Sequence, residues 1–307
     1  MIAFVFPGQG SQHAGMGKDL ADNFDVARLV FEEANDALGF DLANLCFNGP
    51  DEDLKLTTNT QPAILTTSIA ALRVIEQESG ISSSCAAGHS LGEYSALVCS
   101  GAMPFADAVR TVRQRGAFMQ EAVPVGVGAM AAIIGLDSDL LETVCNEAAQ
   151  GEVVSPANYN SPGQVVIAGH SSAVERAMEL AKEKGAKRAL PLPVSAPFHC
   201  SLMVPAGERL NEVLNDIDFA NMVLPVVSNV EATPNSDSQR LQELLVAQVS
   251  APVRWDESIG RMIADGVEKF IEIGPGKVLS GLVKRIDRSA ASANVEDCTS
   301  LDKLLKS

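Results

Sequence analysis

No apolar run in this 307-residue chain approaches the ~20 residues that a membrane helix needs, so no membrane span or membrane partner is expected. The start, Met1 to Pro7, lacks a basic segment and a cleavage site and reads as a first strand, not a secretion signal. Cysteines stand singly at 46, 85, 99, 145, 200 and 298. None forms CxxC or a Cys/His cluster at metal spacing, so no metal site is expected. Without a secretion signal they read as reduced thiols, which points to a cytoplasmic protein. Positive charge is also short. Lys and Arg number 23 against 39 Asp and Glu, a formal charge of −16. That argues against nucleic acid as a partner, which needs a basic footprint. It also means that an anionic substrate must be drawn in by local positive groups. Histidine is scarce, with four residues: His13, His89, His170 and His199.

What is present is a globular composition, 46% hydrophobic and 20% charged. The length suits one large domain with an insertion, or two domains. Residues 2–6 form an apolar run that enters a glycine loop, Pro7-Gly8-Gln9-Gly10. Helical patterns follow near 20–38 and 60–78, then from Gly92 to about Ser100, and from Pro104 to about Glu121. Residues 124–197 change rhythm. Strand-like Gly128–Ile134, helical Asp139–Ala149, strand-like Val153–Asn158 and Gln164–Ala168, helical Ser172–Lys184 and strand-like Ala189–Val194 give the order β-α-β-β-α-β. That is the order of a ferredoxin-like unit. The expected fold is therefore α/β: a large domain with a parallel sheet from 1–123 and 198–307, and a small inserted domain from 124–197. The later large-domain segments are helices near 202–216 and 238–249, an apolar run at 223–227, and a strand at 269–273 before Gly274-Pro275-Gly276. The tail from Ser289 is small and polar and is expected to be loosely ordered up to a last short helix. No internal repeat is seen.

Gly88-His89-Ser90-Leu91-Gly92 matches the nucleophile-elbow pattern, in which a serine sits on a sharp turn between strand and helix. N–H groups at the helix start can stabilise an oxyanion there. A serine nucleophile needs a base. His89 adjoins the serine and should diverge from it. His170 closes a strand and reads as exposed, and His13 lies in the first glycine loop. His199, at the return from the small to the large domain, is the preferred candidate because domain junctions form clefts. The loop Gly8–Gly17 lacks the spacing of phosphate-binding motifs and reads better as a second oxyanion-hole segment. On the helix that follows Pro104, Arg110 points away from the apolar stripe, whereas Arg113 and Arg115 fall on its opposite margins. Either could clamp a carboxylate. The helical wheel does not choose between them.

Taken together, these segments resemble the malonyl-CoA:acyl-carrier-protein transacylases of fatty-acid synthesis and the acyltransferase domains of polyketide synthases. The motifs are FPGQGSQ at 6–12, TQPA at 60–63, GHSLGEYSAL at 88–97, RQRGAFMQ at 113–120, NYNSPGQVVIAG at 158–169, SAPFH at 195–199, PVRW at 252–255 and EIGPGKVLSGLVKRI at 272–286. The resemblance implies a hydrolase-like large domain, Ser90 as nucleophile and His199 as general acid/base. It implies an oxyanion hole from the backbone N–H groups of Gln9 and Leu91, and Arg115 gripping the free carboxylate of malonate. Gln248 would orient the histidine through its main-chain carbonyl. Gln61, Met119, Asn160 and Phe198 would line the substrate site, with Phe198 crowding the acyl α-carbon. The implied partners are malonyl-CoA and acyl carrier protein, with malonyl-CoA a substrate and no cofactor, and a monomer is expected. Family carrier proteins are acidic, so docking on this acidic chain calls for a basic patch. Lys182, Lys184, Lys187 and Arg188 form one candidate, and Lys284, Arg285 and Arg288 another.

Two other readings share these residues. A serine hydrolase or thioesterase would pass the acyl group to water. A non-enzymatic module would only hold an acyl-CoA or a carrier. An acyltransferase for a related acyl-CoA is the variant closest to the main reading.

Overall fold

A computed structural model describes residues 1–194 and 196–306; Ser195, the first residue of SAPFH, and Ser307 lie outside the described residues. The chain begins with β1 (Ile2–Phe6) and five helices: α1 (Lys18–Asn23), α2 (Asp25–Leu38), α3 (Leu42–Asn48), α4 (Asp51–Leu54) and α5 (Thr57–Glu78). β2 (Cys85–Gly88), α6 (Gly92–Cys99) and α7 (Phe105–Glu121) complete the first pass through the large body. The second layer follows as β3 (Gly128–Ile134), α8 (Ser138–Ala149), β4 (Val154–Ser161), β5 (Gln164–His170), α9 (Ser171–Glu183) and β6 (Arg188–Pro191). The chain then returns through α10 (Val204–Leu214), β7 (Val226–Val227), β8 (Pro234–Asn235), α11 (Leu241–Ser250), β9 (Val253–Arg254) and α12 (Trp255–Ala264). It ends with β10 (Lys269–Ile273), α13 (Val278–Ile286), β11 (Ala291–Val295) and α14 (Cys298–Leu305).

The larger sheet has the order β11-β10-β1-β2-β7-β8, parallel except for the last pair. β1 and β2 lie at its centre. They are near-continuous apolar runs because helices cover both faces. Phe4 and Phe6 point into the core beneath α5–α7, while Ala3 and Val5 join Trp255 and Phe270 on the opposite side. The smaller sheet has the order β6-β3-β5-β4, antiparallel throughout, and realises the expected β-α-β-β-α-β succession. One of its faces packs on α8 and α9 through Ala131, Ile133 and Ile167, and the other reaches the large core through Met130, Val166 and Ala168. β9 adds to this sheet parallel to β4, so the PVRW segment, late in the chain, stitches the small sheet to the large body.

The structure corrects several sequence expectations. The tail is not loose: β11 pairs with β10 from Lys269–Ala291 to Ile273–Val295. Asp297 then caps α14 by accepting the Ser300 N–H at 2.7 Å, and Leu301 and Leu304 are buried. Small polar residues hide an edge strand whose partner lies about 20 positions upstream. β4 runs on to Ser161, past the expected end at Asn158, through register shifts between Pro156 and Asn158 and between Tyr159 and Ser161, and the turn closes over Pro162 and Gly163. Helices α3 and α4 carried no clear periodicity. His170 is partly buried, and its Nδ1 accepts the Val153 N–H at 3.0 Å.

Two glycines fix the junction of β2 with α6. A Cβ on Gly88 would sit 1.9 Å from the Gly92 carbonyl carbon, and one on Gly92 would sit 2.2 Å from the Phe6 carbonyl oxygen. Backbone is the obstacle in both cases, so no rotamer change relieves the clash. Gly80, in contrast, has nothing within 4 Å of an added Cβ. Gly92→Ala is therefore expected to lose more than ~2 kcal/mol in denaturant unfolding, whereas Gly80→Ala should be neutral or gain a few tenths by restricting the unfolded chain. Equal stabilities for the two variants would mean that the elbow is not packed as described.

Candidate active site

Ser90 stands between β2 and α6 with φ +52°, and His199 has φ +60°. These are two of four non-glycine residues with positive φ among the described residues. Such a conformation costs on the order of 1–3 kcal/mol and persists only where neighbours over-determine it. Asn229 does this for the elbow. Its Oδ1 accepts the Ser90 N–H at 2.7 Å, and its Nδ2 donates to the Gly88 carbonyl at 2.7 Å.

Ser90 Oγ lies 2.7 Å from His199 Nε2, and His199 Nδ1 lies 2.8 Å from the Gln248 carbonyl oxygen. A carbonyl can only accept, so Nδ1 carries the proton and Nε2 presents its lone pair to the serine hydroxyl. That carbonyl is free for a simple reason. Gln248 is in the last turn of α11, where helix carbonyls have no intrahelical partner. A helix end thus does the orienting work that a carboxylate performs in a triad. Burial, then the nearby Arg115 charge, lower the His199 pKa to about 3, against the opposing hydrogen bond to Gln248.

The structure places the two arginines differently. Arg113 is partly exposed and lies over the Phe40 ring. Arg115 is 1% exposed; its guanidinium donates to Gln61 Oε1 at 2.7 Å, Gln248 Oε1 at 2.9 Å and Ser90 Oγ at 3.1 Å. Its carbon lies 5.7 Å from the Tyr94 ring centroid. Its Nε–H has no acceptor among the described residues. Burial pulls the Arg115 pKa down from its usual value.

A cavity of about 110 Å³ opens beside Ser90 and is lined by Gln9, Gln61, Leu91, Arg115, Met119, Phe198 and His199, with Met130, Asn158, Leu192 and Val194 closing it. The backbone N–H groups of Gln9 and Leu91 meet no acceptor among the described residues. Two predicted residues lie elsewhere. Gln248 stands behind the dyad. Asn160 lines an adjoining groove, where its Oδ1 is 2.8 Å from His89 Nε2. His89 also lines the Ser90 cavity, but its Nε2 is engaged by Asn160 and its ring lies 5.6 Å from that of Trp255. Sequence reasoning missed Asn229 and Glu93. Asn229 sits in a segment without a motif. Glu93 lies inside GHSLGEYSAL, where it reads as an ordinary first-turn acid. In fact it is 3% exposed and accepts from Asn229 N at 3.0 Å and Gln248 Nε2 at 2.8 Å. Burial pushes its pKa up to about 7 against those two donors.

The arrangement supports nucleophilic acyl chemistry with an anion grip beside the nucleophile. The acyl transferase domain family model matches residues 3–307. The malonyl CoA-acyl carrier protein transacylase of Escherichia coli (strain K12) is 56% identical over 293 residues, 95% of each chain. Its counterpart in Bacillus subtilis (strain 168) is 54% identical over 297 residues, 96% of this chain and 93% of the relative. The structure of an acyl carrier protein S-malonyltransferase from Vibrio cholerae superimposes with a TM-score of 0.97 at 52% identity, covering 99% of both chains. A malonyl-transacylase solved in complex with a type II polyketide acyl-carrier protein gives 0.97 at 51% identity, again over 99% of both.

The low His199 pKa carries a pH prediction. A depressed pKa keeps the imidazole neutral, and so able to take the serine proton, well below its ordinary value of 6.5. The second-order rate of Ser90 modification by a fluorophosphonate should stay level from about pH 8 to about pH 5. An inflection near 6.5 would show that His199 titrates normally and that its burial is not felt. By linkage, the unfolded chain binds the extra proton between about 3 and 6.5, so His199 lowers stability as pH falls through that window.

Proposed function

The chain belongs to the acyl transferase domain family, and on that premise we propose that it transfers a malonyl group from malonyl-CoA to the phosphopantetheine thiol of an acyl carrier protein, as in fatty-acid synthesis. The observation that carries the choice of acyl group is the buried Arg115 guanidinium, 3.1 Å from Ser90 Oγ. A malonyl thioester has its carboxylate two bonds from the reacting carbonyl, so grip and nucleophile must lie this close. Arg115 also supplies the local positive charge that an overall −16 chain needs to hold an anion.

The reaction runs in two halves. His199 Nε2 takes the Ser90 proton as Oγ attacks the thioester carbonyl. The Gln9 and Leu91 N–H groups receive the developing oxyanion. The C–S bond breaks, and His199 returns the proton to the coenzyme A sulfur. The carrier thiol then gives its proton to His199 and attacks the malonyl-serine carbonyl. Ser90 Oγ leaves and recovers the proton, which restores the enzyme. Gln61 holds the Arg115 guanidinium at 2.7 Å and steadies the grip. Phe198 and Met119 crowd the cavity where the acyl α-carbon lies.

Purified protein with malonyl-CoA should show a single malonyl adduct on Ser90 by mass spectrometry, and carrier protein should discharge it. Free malonate released as fast in the absence of carrier would instead identify a hydrolase. Arg115→Ala should lower malonyl transfer by orders of magnitude, since removing one partner of a buried pair costs ~2–5 kcal/mol. Acetyl transfer should fall little or rise. Equal losses would make Arg115 merely structural.

The carrier is proposed to dock on exposed cations of the two clusters. Lys184 pairs with Glu147 at 3.6 Å and Arg285 bonds Gln164, whereas Lys187, Arg188, Lys284 and Arg288 are also exposed. Charge reversal at Lys187 and Arg188, or at Lys284 and Arg285, should raise the carrier KM at low salt while transfer to pantetheine stays unchanged. The effect should fade as salt shortens the screening length below ~10 Å. A carrier KM unmoved by both pairs at low salt would place docking elsewhere.

A further inference from the structure

Arg115 presents an electrostatic problem. It is 1% exposed, yet its hydrogen-bond partners among the described residues include no carboxylate. Its three hydrogen-bond acceptors are neutral oxygens of Gln61, Gln248 and Ser90. An isolated buried charge is too costly to stand without compensation. One buried carboxylate is close: Glu93, in the first turn of α6 and 3% exposed. It does not touch the guanidinium. Gln248 stands between them, its Nε2 donating to Glu93 Oε2 at 2.8 Å and its Oε1 accepting from Arg115 at 2.9 Å. The same Nε2 also donates to the Ser90 carbonyl at 3.0 Å.

We propose that Glu93 is a positioning residue, the resident counter-charge of Arg115, and acts on it through the side-chain amide of Gln248. The Arg115 charge favours the ionised form of Glu93 against the burial that raises its pKa, and the ionised carboxylate only accepts, so the amide nitrogen faces Glu93 and the amide oxygen faces Arg115. The two dipoles then align between the opposite charges. A direct Glu–Arg pair would also neutralise the guanidinium, but it would compete with the substrate for the same N–H groups. The relay compensates the charge in the empty site while leaving the guanidinium face open beside Ser90. It also keeps the grip from becoming too tight, because a carboxylate held near Arg115 feels the Glu93 charge behind it. This rests on the reading of Arg115 as the malonyl grip. The coupling between Glu93 and Arg115 does not need any substrate to be measured.

The test is a double-mutant cycle in the substrate-free protein, read by denaturant unfolding of Glu93→Gln, Arg115→Met and the double variant. If the two charges compensate each other, the double variant loses less than the sum of the singles. The expected coupling is about tenfold or more in the folded-to-unfolded ratio. Should either single variant fail to fold, recovery of folding in the double variant supports the proposal. Additive losses, or a double variant that is unfolded as well, overturn it. A kinetic arm reads the same relay in the working enzyme. Glu93→Gln should lower the KM for malonyl-CoA and slow discharge of the malonyl-enzyme to the carrier, each by about threefold or more, because the substrate carboxylate becomes the sole counter-charge. The KM for acetyl-CoA, which brings no carboxylate to answer the lost charge, should not fall with it. Glu93→Asp, which keeps the charge, should fall between wild type and Glu93→Gln. Acetyl and malonyl kinetics altered alike would assign Glu93 a purely structural role. A wild-type protein that forms no malonyl adduct would defeat the transfer reading, and the unfolding cycle would still decide this one.

Discussion

A guanidinium buried beside a nucleophilic serine sets the terms for everything around it. Its charge cannot be left to water, so the pocket supplies oxygens: Gln61 from α5, Gln248 from α11 and Ser90 from the elbow. These three come from distant parts of the chain, and they meet only because β1 and β2 are packed at the sheet centre with α5, α6 and α7 laid across one face. The glycines of the elbow are part of the same constraint. Without the close approach of Gly92 to Phe6, α6 would stand off from the sheet and carry Ser90 away from Arg115 and His199.

Gln248 shows how much a single residue can be asked to do. Its main-chain carbonyl holds the His199 tautomer, its side-chain nitrogen bonds Glu93 and the Ser90 carbonyl, and its side-chain oxygen meets Arg115. It is wholly buried at the end of α11, and the next residues run into β9, which binds the small sheet. Movement of the small layer is thus tied mechanically to the helix end that orients the base.

The sequence made the elbow legible because strand, glycine, serine and helix follow one another within ten residues. The succession of the small layer was legible because its strands and helices are short and clearly bounded. Arg115 was only half legible. A helical wheel gives direction but not depth, so Arg113 and Arg115 looked equivalent until α5 and α6 were in place to bury one and leave the other over Phe40. Gln248 carried a role that no side-chain type can announce, since the histidine is bound by backbone. Asn229 belongs to a loop whose partner, the elbow, lies 139 positions away. The tail strand β11 was misread for a related reason. Ala-Ser-Ala-Asn-Val has little strand character of its own, and its order comes from the β10 edge and from α14 folding back onto the core.

That no acid stands behind His199 among the described residues follows from the same electrostatics. In a triad, a carboxylate stabilises the imidazolium that forms when the serine proton is taken. Here such a carboxylate would stand close to Arg115, the group proposed to hold the substrate's own carboxylate. It would draw the guanidinium from its place beside Ser90 and add a second negative charge beside an anionic acyl group. The helix-end carbonyl of Gln248 fixes the tautomer with a dipole alone. The cost is a histidine whose protonated form is strongly disfavoured, as its pKa of about 3 reflects. A malonyl carboxylate bound at Arg115 offsets part of that cost, because it brings a negative charge next to the imidazolium at the step where one is needed. On this account the substrate supplies the charge that the third member of a triad would have given. A dicarboxylic acyl group is then assisted by its own anion, whereas a neutral acyl group of the same size is not.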